Sequence, residues 1–185
     1  MPRSGAPARA RLREAALVLY EDRGYEATTI TQIAAQAGVT ERTYFRHFAD
    51  KREVLFDGET ELRDVMTSAI TSAPERLTPA ALVQIAYSAA IPLFVIGRTE
   101  AQRRARIIAT SSALQERAHA KALALTRALT DALAKRGVPV PAACLSARVG
   151  AAVFERAITN WDGNSAERLH GLLDSAGVEL RELGW

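Results

Sequence analysis

Cysteine is nearly absent from the sequence, and histidine is scarce and scattered. A single cysteine, Cys144, can form neither an internal disulfide framework nor a cysteine-based metal cluster. The three histidines, at positions 47, 119 and 170, are far apart, and none lies in an HExxH zinc signature. A GxSxG nucleophile motif and a phosphate-binding glycine loop are missing as well. We therefore expect no bound metal, no cofactor and no enzyme active site.

Long apolar runs and a secretory signal are also missing. No apolar run approaches the ~18 residues that cross a bilayer, and the basic N-terminus lacks the apolar segment of a signal peptide. Hydrophobic content of 48% with 24% charged residues is ordinary for a folded protein. These features predict a cytoplasmic protein with no membrane partner.

The excess of positive charge is confined to the N-terminal quarter of the chain. Residues 1–52 contain nine Lys or Arg and six Asp or Glu, whereas residues 53–185 contain fifteen of each. Four arginines precede the first acid, Glu14; they are Arg3, Arg9, Arg11 and Arg13. This asymmetry predicts an anionic partner at one end of the molecule, although a solvated, disordered basic tail would have the same composition.

The apolar periodicity is helical almost throughout, which predicts an all-α fold of about nine helices. Four signals bound the first four helices: Gly24, Thr29-x-x-Gln32, Thr40 and Asp50-x-x-Glu53. We expect the fourth helix to continue to about Ser72 and the fifth to begin at Thr78. Pro92 predicts a kink or an early end in the fifth helix. The last four are predicted over 99–110, from Ser112 to before Gly137, from VPVPAA to about Trp161, and from Asn164-x-x-Glu167.

The segment GVTERTYFRHF, residues 38–48, contains a glycine turn followed by a short helix. At about 100° per residue, Tyr44 and Phe48 fall on one side of that helix, with Phe45 at its margin. The opposite side carries four hydrogen-bond donors: Arg42, Thr43, Arg46 and His47. The rings can anchor so short a helix because each buries a large area. The polar side then stays free for base edges and phosphates, as in the helix-turn-helix that enters the DNA major groove.

Residues 11–56, RLREAALVLYEDRGYEATTITQIAAQAGVTERTYFRHFADKREVLF, resemble the DNA-binding domain of TetR-family transcriptional regulators. The resemblance lies in the R-G-Y-x-x-T-T link, the I-A-x-x-A-G-V-T turn, the H-F pair and the D-K that follows. It implies a DNA-binding helix-turn-helix domain over residues 1–52, with its motif at about 29–48. A helical bundle over residues 53–185 would bind the effector and form the dimer.

The resemblance also implies DNA contacts for particular side chains. Thr29 and Thr40 would contact phosphates, Arg42 and Thr43 would read or approach bases, and Lys51 would grip the DNA backbone at the start of the fourth helix. The rest of the predicted DNA-binding set is Phe45, Arg46 and His47.

Two of these positions depart from many relatives. Arg42 stands where many have a small residue, and Phe45 stands where many have tyrosine, so a hydroxyl bond to phosphate is lost. The arginine before T-Y-F is similar to a subgroup common in high-GC bacteria, whose members are often associated with acyl-CoA-like ligands.

The C-terminal region has no motif as specific. The helix over 142–161 is apolar or small almost all round and must be buried on more than one side. By resemblance it pairs with the last helix and their symmetry mates to form a dimer interface that includes Leu145, Val149, Val153, Ile158, Trp161, Leu169, Leu172 and Leu173. A helix buried within one monomer is the alternative.

The resemblance further implies a ligand pocket among the fourth to eighth helices. Candidate lining residues, each of which could equally be plain core, are Met66, Ile70, Tyr87, Ile91, Phe94, Ile107 and Leu114. Four arginines near 98–106 could meet a CoA phosphate or form a solvated face.

These features predict a dimeric repressor that binds a palindromic operator and is released by a small effector, apolar or acyl-CoA-like. One alternative is a constitutive DNA-binding regulator without an effector; another is an all-helical enzyme whose active site forms only on folding. A cavity in the C-terminal bundle would favour regulation over constitutive binding.

Overall fold

The computed structural model describes residues 6–163 and 165–182. Within these residues the chain forms nine α-helices and one 3₁₀ helix, and it forms no strand. They are α1 (Ala6–Arg23), α2 (Ile30–Gln36), α3 (Glu41–His47), the 3₁₀ helix (Glu53–Phe56), α4 (Glu59–Ser72), α5 (Pro79–Ile96), α6 (Arg98–Ala109), α7 (Ser112–Lys135), α8 (Val140–Thr159) and α9 (Ala166–Glu182). The prediction of an all-α fold with about nine helices is confirmed.

Hydrogen bonds confirm several predicted helix starts. Oγ1 of Thr29 accepts the amide proton of Gln32, and Oε1 of Gln32 accepts that of Thr29, so the capping box is formed. Thr40 and Thr78 cap α3 and α5 through their hydroxyl oxygens. Each of these caps satisfies an amide that has no partner inside its helix.

The fourth helix begins later than the sequence predicts. The Asp50 carboxylate accepts the amide protons of Arg52 and Glu53, but this cap starts only the 3₁₀ helix. Gly58 then adopts a φ of 94°, in the region that favours glycine, and separates the 3₁₀ helix from α4. The prediction of one helix over 50–72 was wrong because a capping signal does not reveal how far its helix extends.

Two other boundary predictions concern Pro92 and Asn164. Helix α5 continues through Pro92 to Ile96, so the early end does not occur. Asn164 lies outside the described residues. Beside it, Oγ of Ser165 accepts the amide proton of Arg168 at the start of α9.

The chain packs as two compact units. The N-terminal unit contains the residues up to Glu59 together with Thr99–His119, so most of α6 and the start of α7 pack with the first three helices. Its core joins Tyr44 to Ile107 of α6 and Leu114 of α7. The sequence did not predict this packing of α6. The division of function at residue 52 stays a prediction.

The C-terminal unit contains Thr60–Arg98 and the chain from Ala120 onward. Helix α5 packs against α8 and α9 in its core. At Gly150 the backbone of α8 comes so close to α5 that a methyl group there would lie 2.1 Å from Cγ1 of Val83. This approach brings the rings of Tyr87 and Phe154 into a stack with centroids 4.6 Å apart.

Helix α5 is long and apolar enough to cross a membrane by length and composition alone. This finding corrects the expectation that no segment reaches that length. The polar residues Gln84, Tyr87 and Ser88 interrupt the apolar run but carry no charge, so the mean hydropathy of the helix stays at 1.8. Ala86 and Ala90, one turn apart on the same face, are fully buried in the C-terminal unit, and a core helix passes the same test.

Candidate nucleic-acid interface

A tight glycine turn connects α2 to α3. Gly38 has a φ of 66°, a left-handed conformation that costs glycine little. Its amide donates to the Ala35 carbonyl at 3.0 Å, and the amide of Val39 donates to the Ala34 carbonyl at 2.9 Å. This pair of bonds is the Schellman arrangement that ends a helix. The turn allows α3 to begin at Glu41, two residues after Val39.

Two rings hold the inner side of α3 against the N-terminal unit. Tyr44 and Phe48 are buried, with ring centroids 5.6 Å apart. The Tyr44 hydroxyl donates to the Asp50 carbonyl at 3.0 Å, which also fixes the turn after α3. Phe45, predicted at the margin, is 53% exposed. The side of α3 that faces the core is therefore the side that helical spacing predicts.

The outer side of α3 carries two free guanidinium groups. Arg42 and Arg46 are exposed and lie one helical turn apart. Neither pairs with another side chain within 6–163 and 165–182. Thr43 lies between them in sequence, with its hydroxyl oxygen 3.1 Å from that of Thr40. This side of the helix can donate to phosphates or to guanine O6 and N7.

His47 is less exposed than its position on the helix suggests. Its Nε2 is buried and has no hydrogen-bond partner within the described residues. Burial, followed by the charges of Arg46 and Arg9, lowers the pKa of His47 below its ordinary value. The neutral form of the ring is therefore favoured, which reduces the positive charge that His47 brings to this surface.

The remaining predicted contacts have structural partners of their own. The hydroxyl oxygens of Thr29 and Thr40 accept the amide protons that cap α2 and α3, yet each side chain is exposed and its O–H can still donate. Lys51 lies in the turn before the 3₁₀ helix rather than at the start of α4. Its ammonium donates to the Tyr25 carbonyl at 2.7 Å and lies 4.1 Å from the centroid of the Tyr25 ring.

The N-terminal arginines are mostly engaged inside the N-terminal unit. Arg9 and Arg13 donate to Asp57, at 2.8 Å and 3.2 Å, and Arg11 donates to the Ala37 carbonyl at 2.9 Å. These three side chains lie on helix α1, so a disordered tail does not describe them. Arg3 lies outside the described residues. Several of their N–H donors are therefore used inside the N-terminal unit, whereas the guanidinium groups of α3 are free to donate.

Sequence reasoning missed two polar residues beside this surface. Glu41 is exposed in the first turn of α3, and Oγ1 of Thr31 on α2 donates to its Oε1 at 2.6 Å. The signal was present in the sequence as an acid next to Arg42. It was hidden because an acid in a first turn is also what favours a helix start.

The structure divides the predicted pocket residues between two cores. Met66, Ile70, Tyr87 and Ile91 are buried in the C-terminal unit, and Phe94 packs against them. Ile107 and Leu114 are buried instead in the core of the N-terminal unit. The seven side chains are therefore not brought together at one place.

The arginines predicted near the pocket mostly contact protein groups. Arg103 donates to Glu14 at 3.0 Å and to Glu21 at 2.6 Å, which fastens α6 to α1. Arg98 donates to the carbonyls of Asp162 and Gly163 in the loop between α8 and α9.

The predicted dimer residues differ in how much of each side chain is exposed. Leu169 and Leu173 are buried in the core of their own unit, as the monomer alternative expects of such residues. Leu145 is 58% exposed on the outer side of α8. Five others are partly buried: Val149, Val153, Ile158, Trp161 and Leu172.

A polar groove of about 420 Å³ opens between α4 and α7 in the C-terminal unit. Its lining includes Arg63, Asp64, Asp131 and Lys135 together with three hydroxyl side chains. None of the predicted apolar pocket residues lines it. Within the described part of the chain, no three His, Cys, Asp or Glu side chains are grouped so that they could hold a metal ion.

Residues 12–57 match the family model described as bacterial regulatory proteins of the tetR family. This segment, which contains α2 and α3, is thus similar to the N-terminal region of tetR-family regulatory proteins. The chain is 36% identical, over 80 residues, to the HTH-type transcriptional regulator TcmR of Streptomyces glaucescens. That match covers 43% of this chain and 35% of TcmR, about a third of the length of that regulator. The predicted resemblance to the TetR family is thus confirmed over this segment, and α2 and α3 form its helix-turn-helix.

Solved structures extend the similarity to the whole fold. A TetR-family transcriptional regulator from Mesorhizobium loti has a TM-score of 0.56 and 17% identity, covering 94% of this chain and 95% of its own. The regulator FadR from Bacillus subtilis, in complex with stearoyl-CoA, has a TM-score of 0.55 and 16% identity, covering 90% and 96%. Identities this low show a common fold, which confirms the predicted helical domain after the helix-turn-helix.

Proposed function

We propose that this chain is a cytoplasmic, dimeric repressor of the TetR family that binds operator DNA through the outer side of α3 and is released by a small effector. The observation that carries the proposal is the placement of Arg42 and Arg46, exposed and unpaired, opposite the buried Tyr44 and Phe48. A helix anchored on one side and cationic on the other fits the major groove as a recognition helix.

Each predicted contact has its own chemistry in this proposal. Arg42, near the start of α3, is positioned to donate to guanine, whereas Arg46 one turn later donates to a phosphate. Thr29, Thr40 and Thr43 offer hydroxyl donors. Phe45 contributes apolar contact, and His47 contributes a neutral ring nitrogen.

Lys51 acts more indirectly than first predicted. With its ammonium on the carbonyls of Tyr25 and Glu26, it holds the loop before α2 and keeps one of its three donors for phosphate. Replacing it therefore affects the position of the helix-turn-helix as well as a DNA contact.

The DNA contacts are tested by titrating the purified protein with labelled genomic fragments at several salt concentrations. The Arg46→Ala variant should weaken binding across many sequences and reduce the salt slope by about one, because one phosphate contact is lost. Arg42→Ala should relax preference mainly at one base pair. The matched control is Arg127→Ala, which removes an exposed arginine from α7. If the wild-type protein retains no fragment at low salt, the proposal fails.

Dimerisation through α8 and α9 supplies the second half of the mechanism. Two copies of α3, related by a twofold axis, would read a roughly palindromic site. Leu145 supports this interface because a large apolar side chain is exposed on α8. Leu169 and Leu173 fill the core of their own unit, so they would support the interface without contacting the partner subunit.

Sedimentation of Leu145→Glu tests the dimer. The charge should shift the protein toward monomer, because it would be buried without a partner at the interface. Leu123→Glu is a matched control, since Leu123 is 51% exposed on α7, outside the proposed interface. Trp161 is a poor test site because its indole N–H donates to the Ser165 carbonyl at 3.1 Å and its ring packs on the core. A persistent dimer in Leu145→Glu would refute this interface.

The effector is proposed to be apolar or acyl-CoA-like. Support comes from the complex of FadR, a protein of similar fold, with stearoyl-CoA. The mechanism is linkage, since an effector weakens DNA binding only by its preference for a conformation that does not fit the operator. Acyl-CoAs of increasing chain length should raise the Tm and release bound DNA. If none does either, the alternative of constitutive binding is favoured.

A further inference from the structure

The first residue of α3 is an acid, which is unexpected on a surface that approaches DNA phosphates. Glu41 is exposed, lies next to Arg42 and has no cation partner within the described residues. A carboxylate there repels the phosphate backbone and weakens binding to DNA of every sequence. An acid in the first turn favours the helix start, and at the start of a recognition helix, the part that contacts base edges, it can also meet a base.

The carboxylate is also held in one position. Oγ1 of Thr31, on α2, donates to Oε1 of Glu41 at 2.6 Å. Oε2 accepts no hydrogen bond from the described residues, so one acceptor oxygen is fixed and the other is free to meet a ligand. The bond is not needed to join α2 to α3, because the glycine turn and the buried Ile33 and Tyr44 already do so. Both partners of the bond are exposed, and an exposed bond of this kind contributes little to stability.

The chemistry of the major groove then restricts the base. A carboxylate only accepts hydrogen bonds, and cytosine presents the N4 amino donor without an acceptor on the same base. Guanine presents the acceptors N7 and O6, thymine presents O4, and adenine places its acceptor N7 beside its amino group. The carboxylate therefore favours cytosine, is less favourable beside adenine because N7 opposes the N6 donor, and is repelled by guanine and thymine, which gives specificity at the cost of general affinity.

We propose that Glu41 reads a cytosine in each operator half-site by accepting a hydrogen bond from its N4 amino group, with Thr31 as the positioning residue. The inference rests on the proposed function, because it needs α3 in the major groove. It adds a base contact of opposite charge to the predicted arginine contacts. Glu41 and Arg42, adjacent on the helix, would read a cytosine and a guanine.

The test is a selection from random duplex DNA, followed by affinity measurements on the selected site. The wild-type protein should select cytosine at one position of each half-site and lose roughly 5- to 150-fold in affinity when that pair is changed to thymine–adenine. The Glu41→Gln variant should lose this preference and shift toward adenine, because an amide can bond adenine N6 and N7 together. The charge control is Glu116→Gln, an exposed acid on α7, which should keep the wild-type preference.

Thr31 is tested by base preference rather than by stability. Thr31→Val should weaken the cytosine preference without changing the preferred base, and Thr31→Ser should restore it. Circular dichroism and Tm establish that each variant is folded. If Glu41→Gln does not fold, Glu41→Asp replaces it and should weaken the cytosine preference, since the shorter carboxylate reaches the base less well.

The possible failures are distinguishable. If the wild-type protein selects no sequence, the proposed function fails and this inference fails with it. If the wild-type protein selects a site but folded Glu41 variants keep its preference at every position, the proposed function stands and the reading of cytosine is overturned. Thr31→Val with an unchanged preference would likewise remove its positioning role.

Discussion

Replacing Gly150 with alanine should destabilise the C-terminal unit, although alanine is the better helix former. A methyl group at this position would lie 2.1 Å from Cγ1 of Val83 and 3.4 Å from Cε2 of Tyr87. The first distance is far inside van der Waals contact. Val83 is buried and β-branched, so few rotamers allow it to move away. The helices α5 and α8 would have to separate.

The magnitude follows from two opposing effects. Overpacking of a core typically costs about 1–3 kcal/mol, while exchanging glycine for alanine inside a helix contributes about 0.5–1 kcal/mol of stability. The steric effect should win, with a net loss of about 1–2 kcal/mol. For a chain of this size, a change of 1 kcal/mol moves Tm by roughly 2–4 °C, so Tm should fall by several degrees.

Thermal unfolding followed by circular dichroism measures this change. The matched control is Gly171→Ala on α9, where a methyl group would meet nothing within 4 Å and Tm should rise slightly. The double variant Gly150→Ala with Val83→Ala should recover part of the steric loss, because the clashing methyl groups are removed. Sedimentation checks that the control variant keeps its oligomeric state. A Tm for Gly150→Ala at or above that of the wild-type protein would refute the close approach of α5 and α8.

Three further changes test other parts of the structure. Burial of the Asp57 carboxyl acts to raise its pKa, but hydrogen bonds and charge from Arg9 and Arg13 outweigh burial and lower it. The ionised carboxylate therefore stabilises the folded state above the unfolded-state pKa of about 3.9, and this stabilisation is lost as pH falls through the folded-state pKa. Asp57→Asn should accordingly lower Tm at pH 7, with a difference from wild type that narrows toward pH 3, and a constant difference would contradict this reasoning. Arg98→Ala should speed amide hydrogen exchange in the loop that contains Gly163 while leaving α5 protected, since it removes two bonds to loop carbonyls; uniform exchange rates would argue against a local clamp. Thr78→Ala should lower the free energy of unfolding by about 1 kcal/mol because the cap on α5 is lost, and Thr78→Ser should not lower it. Equal unfolding midpoints in urea for Thr78→Ala and the wild-type protein would show that the cap is unimportant.

The candidate site could be predicted from sequence to the extent that its contacts are local. The capping box at Thr29, the turn at Gly38 and the buried side of α3 involve residues only a few positions apart. Their geometry depends on helical periodicity and on the conformational freedom of glycine. Glu41 was missed because an acid in the first turn of a helix is already explained by the helix start that it favours.

Prediction from sequence also failed where one local signal is compatible with two different structures in the residues that follow it. Asp50 predicts a cap, and the structure contains that cap, but only Gly58 shows that the helix it starts is short. Helix α5 likewise reads as interrupted by Gln84, although the uninterrupted helix keeps a high mean hydropathy. A local pattern fixes where an element can begin more reliably than where it ends.

By itself, then, the sequence determined most helix starts, the resemblance to the TetR family and the side of α3 that carries charge, because each depends on residues close together in the chain. Only the tertiary structure decided which core receives Ile107 and Leu114. It also decided that Arg103 binds acids of α1 more than eighty positions away and that Leu145 stays exposed while Leu173 does not. Periodicity reveals that a side chain is buried but not what buries it, since that depends on contacts between segments distant in sequence.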